Sequence, residues 1–201
     1  MNAKNPGKGT RIGIYSGTFD PVHSGHIAFA LQAVQAAKLN RLYMMPERSP
    51  RSKQHVTHYA HRVAMVRRAT RPYPQLAVLE NEDKVFSVAH TLPRLQRRFT
   101  HATLVFICGS DVLLGMSSWP HIERLLRGCE LCIGRRQNES RRVVEQAVAA
   151  LPIAPQDVTI VDSHAPHISS SSIRRAIRER RGVRGLLRSV HDYAAQEWLY
   201  L

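Results

Sequence analysis

Two histidines three positions apart, His23 and His26, stand in the run Gly17-Thr-Phe-Asp-Pro-Val-His-Ser-Gly-His26. An imidazole donates from a ring nitrogen and titrates near neutrality, so a close pair can grip one polyphosphate. Gly17 permits a sharp turn, Pro21 stiffens it, Ser24 is suited to cap a following helix, and Gly25 leaves room between the rings. The run therefore predicts both histidines at or just before a helix N-terminus, where free N–H groups and the helix dipole favour an anion. A second stretch, Ile168-Ser-Ser-Ser-Ser-Ile-Arg174, has the same character. Its hydroxyls precede the helical pattern of Ile173, Ala176 and Ile177, offering an N-cap and phosphate donors. Arg174 is expected in the first turn, where its charge opposes the helix dipole unless an anion binds there. Two such anion sites suit a triphosphate. Neither a Walker A loop nor a G-x-G-x-x-G occurs, which leaves P-loop and dinucleotide fingerprints unsupported.

Other clusters carry weaker chemistry. Cys129-Glu-Leu-Cys132 is formally a C-x-x-C, but it enters a predicted strand that would turn the thiols to opposite faces, so buried structural cysteines are expected. His55, His58 and His61 recur on one helical face and could bind a metal, although solvated or substrate-loop histidines are the simpler reading. His164 and His167 lie just before the serine run and could touch phosphates, although the sequence offers no test of it.

These residues need a scaffold to bring them together, and the apolar pattern supplies one. Short strands are predicted at residues 11–16, 41–45, 76–79, 103–107, 130–133 and 158–161. Helical spacing is predicted at 24–37, 58–70, 88–99 (despite Pro93), 111–114, 121–126 and 140–150, with a polar loop at 47–57. Strands alternating with helices argue an α/β, Rossmann-like parallel sheet covered on both faces, with a C-terminal helical segment. Ligands of such sheets lie beyond the C-terminal strand ends. One domain over residues 11–201 is expected, preceded by a flexible polar segment at 1–10.

The composition agrees. Hydrophobic residues at 43% and charged residues at 22% are globular values, which exclude wholesale disorder. No apolar run is long enough to span a bilayer and no signal-peptide core is visible, so no membrane role is expected. Three cysteines make no disulfide framework, which points to a reducing cytoplasm. The net charge of +14, from 29 Lys+Arg against 15 Asp+Glu, points to an anionic partner. Residues 174–188 hold seven arginines, which alone would suggest nucleic acid. That stretch has no aromatic residue for base stacking and no recognised binding module, so a nucleic-acid partner is disfavoured.

The two end motifs together resemble the H-x-G-H nucleotidylyltransferase superfamily, and within it the bacterial nicotinate-mononucleotide adenylyltransferases. The resemblance runs from Ile12 to Leu201 and includes Pro46, Gly109-Ser-Asp111, Trp119, Arg135-Arg136 and the closing run from Val190 to Tyr200. It implies transfer of AMP from ATP to the 5′-phosphate of a mononucleotide, with pyrophosphate released and Mg²⁺ carried mainly on the ATP phosphates. It also implies roles for individual residues. His23 and His26 would be catalytic. Ser16, Gly17, Thr18, Phe19, Gly109, Asp111, Ile168, Ser169, Ser171 and Arg174 would hold ATP. Lys53, Thr91, Trp119 and Arg136 would hold the acceptor.

Several positions depart from the family pattern. Ser16 replaces a glycine, and Pro50-Arg-Ser-Lys53 keeps only the lysine of a P-P-H-K loop. Phe86-Ser-Val88 stands for S-Y-T, and Pro120 for an aromatic. These bear on the acceptor more than on ATP. Nicotinate mononucleotide is the acceptor the resemblance favours. Another phosphorylated acceptor, a cytidylyl donor, or a nucleic-acid binder on this scaffold are the alternatives, and Arg48 and Arg51 would suit a more anionic acceptor.

Overall fold

A computed structural model describes residues 9–50, 55–135, 139–162 and 168–201. The chain alternates strands and helices from β1 (Thr10–Gly17) through α1 (Ser24–Ala36), β2 (Arg41–Pro46), α2 (Tyr59–Thr70), β3 (Leu76–Val78) and α3 (Thr91–Arg98). It continues with β4 (Ala102–Gly109), α4 (Ser110–Met116), α5 (Ile122–Gly128), β5 (Glu130–Arg135), α6 (Arg141–Ala149), β6 (Val158–Asp162), α7 (Ser170–Arg178) and α8 (Arg188–Gln196). The six strands form one parallel sheet in the order β3-β2-β1-β4-β5-β6. The order reverses between β1 and β4, and the crevice beyond that switch point is where such sheets bind ligands. Both anion motifs were expected there.

Successive strand residues face opposite sides, and here both sides are buried. Ile12, Ile14, Leu104, Phe106, Leu131 and Ile133 join the core under α3, α4 and α5. Leu42, Met44, Val105, Ile107 and Cys132 join the other core, under α1, α2 and α8. Strands buried on both faces read as continuous apolar runs, which is why β4 was so plain in the sequence. Cys129 and Cys132 fall in different cores, as the strand periodicity predicts. Both are free and buried, and burial pushes both thiols up to about 12, so neither is a thiolate at neutral pH.

The element boundaries differ from the sequence reading in four informative places. The N-cap of α1 is His23, with Ser24 the first helical residue. The third helix begins at Thr91, which places Pro93 in the first turn, where a missing N–H costs nothing. Arg174 is the fifth residue of α7 and so lies beyond the first turn. The last helix stops at Gln196, because Trp198 and Tyr200 take positive φ values of 53° and 69°. Those two residues turn the chain end back toward the sheet.

Candidate active site

The turn after β1 is packed tightly despite its polar residues. Phe19, Asp20, Val22 and His23 are all at most 6% exposed. Phe19 takes φ +50° and lays its ring edge-on to Tyr15, while the Asp20-Pro21 peptide is cis. The backbone N–H of His23 donates to Nδ1 of His26 at 3.2 Å, and the two rings lie 3.7 Å apart. An imidazole that accepts at Nδ1 carries its proton at Nε2, so His26 presents a donor on its far edge. His23 Nδ1 is buried without a hydrogen-bond partner among the described residues. Burial lowers the His23 pKa to about 4, so this imidazole is neutral at pH 7.

The serine motif closes onto this turn. Ser169 caps α7, accepting from the Ser172 N–H at 3.1 Å, and Ser172 Oγ accepts from the Ser169 N–H in return. Ser170 Oγ donates to the carbonyl of Pro21 at 2.9 Å, and Arg174 Nη1 donates to the carbonyl of Asp20 at 2.7 Å. The two motifs are thus in direct contact across the sheet, with Ser170 as the bridging hydroxyl. Further along, the Gly185 carbonyl accepts the Ser24 N–H at 2.9 Å, occupying one donor of the α1 N-terminus. Gly185 has φ +79°, and a Cβ there would meet Ile168 at 2.5 Å, so only glycine fits.

Three residues that sequence reasoning passed over build the floor. Arg62 of α2 is 1% exposed and spends its guanidinium on three carbonyls: Thr18 at 2.7 Å, Thr57 at 2.8 Å and Arg48 at 3.0 Å. Its pKa is lowered by burial, opposed by the nearby Asp20. Asp20 accepts from the Tyr200 hydroxyl at 2.7 Å and from the Thr57 N–H at 3.2 Å. Glu47 donates its N–H to the Gly17 carbonyl at 2.9 Å, and its Oε1 accepts from Ser16 Oγ at 3.3 Å. The signal for Arg62 was available, since it falls among Val63, Val66 and Ala69 on the apolar stripe of a predicted helix. Tyr200 was legible only as the end of the closing run that carries the resemblance, with no role attached to its hydroxyl.

Two of the acceptor candidates, Thr91 and Trp119, belong to a wall that meets this floor through Glu47. A recess is lined by Phe86, Ser87, Val88, Trp119, Pro120 and His121. Its back wall is aromatic, with Trp119 at 6.2 Å from Phe86 and edge-on to Phe106. The Phe86 N–H points to Glu47 Oε1 at 3.5 Å, which joins the recess to Ser16 through one carboxylate. Thr91 donates to Asp83 at 2.6 Å and accepts the Ser87 N–H at 3.0 Å, so it fixes the recess wall from behind. Gly109 caps α4 at the end of β4, and a Cβ there would strike Asp111 Oδ1 at 2.6 Å. Arg48 is engaged elsewhere, donating to the Asn81 carbonyl and lying over the Tyr59 ring.

Lys53, Arg136, Arg51, Ser52, His164 and His167 lie outside the described residues. The three-histidine helical face is not formed. His58 is the N-cap of α2, His55 precedes it with φ +54°, and His61 Nδ1 is 2.9 Å from the Tyr193 hydroxyl. The helix begins too late to align the three.

The family comparison decides the class. The cytidylyltransferase-like family model matches residues 14–176, a span that includes both motifs. The chain belongs to the cytidylyltransferase-like family. Among curated relatives, a probable nicotinate-nucleotide adenylyltransferase of Carboxydothermus hydrogenoformans is 34% identical over 96% of this chain and 98% of its own. A second, from Exiguobacterium sibiricum, is 30% identical over 94% and 97%. Among solved structures, the Plasmodium falciparum nicotinic acid mononucleotide adenylyltransferase complexed with NaAD superposes with a TM-score of 0.78 at 17% identity, covering 95% of this chain and 97% of that one. This similarity shows a shared fold. Membership in the cytidylyltransferase-like family agrees with the nucleotidyltransferase resemblance drawn from the end motifs.

Proposed function

We propose that this cytidylyltransferase-like chain transfers AMP from ATP to the 5′-phosphate of nicotinate mononucleotide, forming deamido-NAD and pyrophosphate. The observation that carries the reading is the contact between the two motifs, made by Ser170 on Pro21 and Arg174 on Asp20. It creates one anion site from two helix N-termini at the switch point of the sheet. The curated relatives' names supply the acceptor.

In this reading an acceptor phosphate oxygen bonds to the α-phosphorus in line, and the bond to the bridging oxygen breaks. Pyrophosphate leaves with that electron pair, so no covalent enzyme intermediate is needed. His26, through Nε2–H, and neutral His23 donate to the ATP phosphates where charge builds up. Thr18 stands between the two substrates, while Ser169, Ser171 and Arg174 hold the departing β- and γ-phosphates. Ser16, Gly17, Phe19 and Ile168 shape the phosphate turn, and Gly109 and Asp111 face the adenosine. Trp119 supplies the stacking wall for the acceptor ring, and Thr91 buttresses it. Lys53 and Arg136 are assigned to the acceptor phosphate.

Among the described residues no group of three or more His, Cys, Asp or Glu could hold a metal. In this reading Mg²⁺ would arrive on the ATP phosphates, where it would neutralise charge. No helix among the described residues is long and apolar enough to cross a membrane, and the buried free thiols suit a reducing cytoplasm.

Pyrophosphate release with ATP and nicotinate mononucleotide, nicotinamide mononucleotide or pantetheine phosphate tests the reading. Nicotinate mononucleotide is expected to give the highest kcat/KM. Preference for another acceptor would reassign the Trp119 recess, and no release with any of the three would remove the proposal.

A further inference from the structure

The Asp20 carboxylate is 4% exposed and sits between two cationic claims. Its Oδ1 accepts from Tyr200 at 2.7 Å and its Oδ2 from the Thr57 N–H at 3.2 Å. Arg174 Nη1 donates to the carbonyl of the same residue at 2.7 Å, yet stands 3.9 Å from Oδ2, outside hydrogen-bond range. Arg62, the other cation nearby, has its guanidinium committed to the carbonyls of Thr18, Thr57 and Arg48. The carboxylate therefore takes its hydrogen bonds from two donors that carry no charge, and its ion pair with Arg174 is a longer contact, at 3.9 Å.

A buried carboxylate stripped of one donor takes the nearest charged replacement, because the alternative is an uncompensated oxygen. Without the Tyr200 hydroxyl, that replacement is Arg174. We propose that Tyr200 is a positioning residue whose hydroxyl keeps Asp20 from drawing Arg174 out of this long ion pair into a direct hydrogen bond, leaving the guanidinium available to the ATP phosphates. The inference rests on the assignment of Arg174 to ATP. It gives the chain end a task in substrate binding, although Tyr200 touches no substrate itself.

The test is a set of double-mutant cycles read by calorimetric ATP binding without acceptor, together with KM for each substrate. Tyr200→Phe is expected to weaken ATP binding about three- to tenfold, the scale of one exchanged hydrogen bond, with the acceptor KM unchanged. In an Asp20→Asn background, where no charge remains to capture Arg174, adding Tyr200→Phe is expected to change ATP affinity by less than about twofold. An Arg174→Gln background should abolish the Tyr200→Phe effect in the same way, and it serves if Asp20→Asn folds poorly. Equal losses in all backgrounds, a parallel rise in acceptor KM, or unchanged ATP affinity in Tyr200→Phe would each overturn the proposal. If Arg174→Gln alone binds ATP as well as the unaltered protein, the assignment of Arg174 to ATP falls, and the inference falls with it. Loss of the proposed reaction as a whole would show instead as no pyrophosphate release by the unaltered protein.

Discussion

His26 has one ring nitrogen fixed by the His23 backbone, so the neutral ring carries its proton on the other. A donor held in that way needs no reorganisation when charge develops on a phosphate oxygen, and single donors of this type contribute about 10²–10³ in rate. His26→Ala is therefore expected to lower kcat by about 100-fold or more, with a small loss of stability from one N–H left to solvent. Normal turnover in that variant would remove the histidines from the mechanism. His23 makes a separate prediction about pH. Its pKa is near 4 in the folded protein, against about 6.5 in an unfolded chain. Below pH 6.5 the unfolded chain takes up a proton that the native state refuses, so this group's contribution to stability falls as the pH drops from 6.5 to 4. The loss is at most about 3 kcal/mol and levels off below pH 4. Urea midpoints from pH 7 to pH 4 should decline less steeply in His23→Gln than in the unaltered protein. An identical pH dependence would mean that His23 is not held neutral.

The elements owe their legibility to double-sided burial. Because β1, β2, β4 and β5 feed both cores, the apolar runs stood out, and the sheet and its helices followed from them. The His23 and Ser169 turns were legible too, since glycine, proline and serine at helix starts have local reasons to be there. Contacts set by tertiary packing were not legible. The three carbonyls that Arg62 satisfies lie in separate segments, and the Tyr200 hydroxyl reaches a carboxylate 180 positions earlier in the chain. One element contact gives a test. Gly134 of β5 lies under α1, and a Cβ there would come within 2.6 Å of the Phe29 ring, itself 6% exposed in a packed core. Gly134→Ala is expected to cost about 1–3 kcal/mol through overpacking, which calorimetry would read as a Tm lower by about 2–12 °C. An unchanged Tm would show that α1 can shift away from the sheet at no cost.

At the scale of the whole molecule the charge of +14 remains to be placed. Few cations belong to the site. Arg175, Arg178, Arg180 and Arg184 are exposed, and none of them forms an ion pair with a described residue. Such charges act at a distance by raising the local concentration of anionic substrate, an effect that salt screens. The kcat/KM for ATP should fall between about 50 and about 300 mM KCl, where the screening length shrinks below about 10 Å. Changing these four arginines to glutamine should flatten that dependence while leaving kcat unaltered. Equal salt slopes in the two proteins would assign the steering to other cations.

The contact between the turn after β1 and residues 168–200 also has a consequence for the order of synthesis. Residues 17–26 leave the ribosome early, whereas Ser170, Arg174 and Tyr200 leave it late. A nascent chain can lay down most of its sheet, yet it has only half an anion site. In the proposed reading activity therefore awaits residues 168–200, and a ribosome-bound chain arrested before residue 168 should be folded in part and silent.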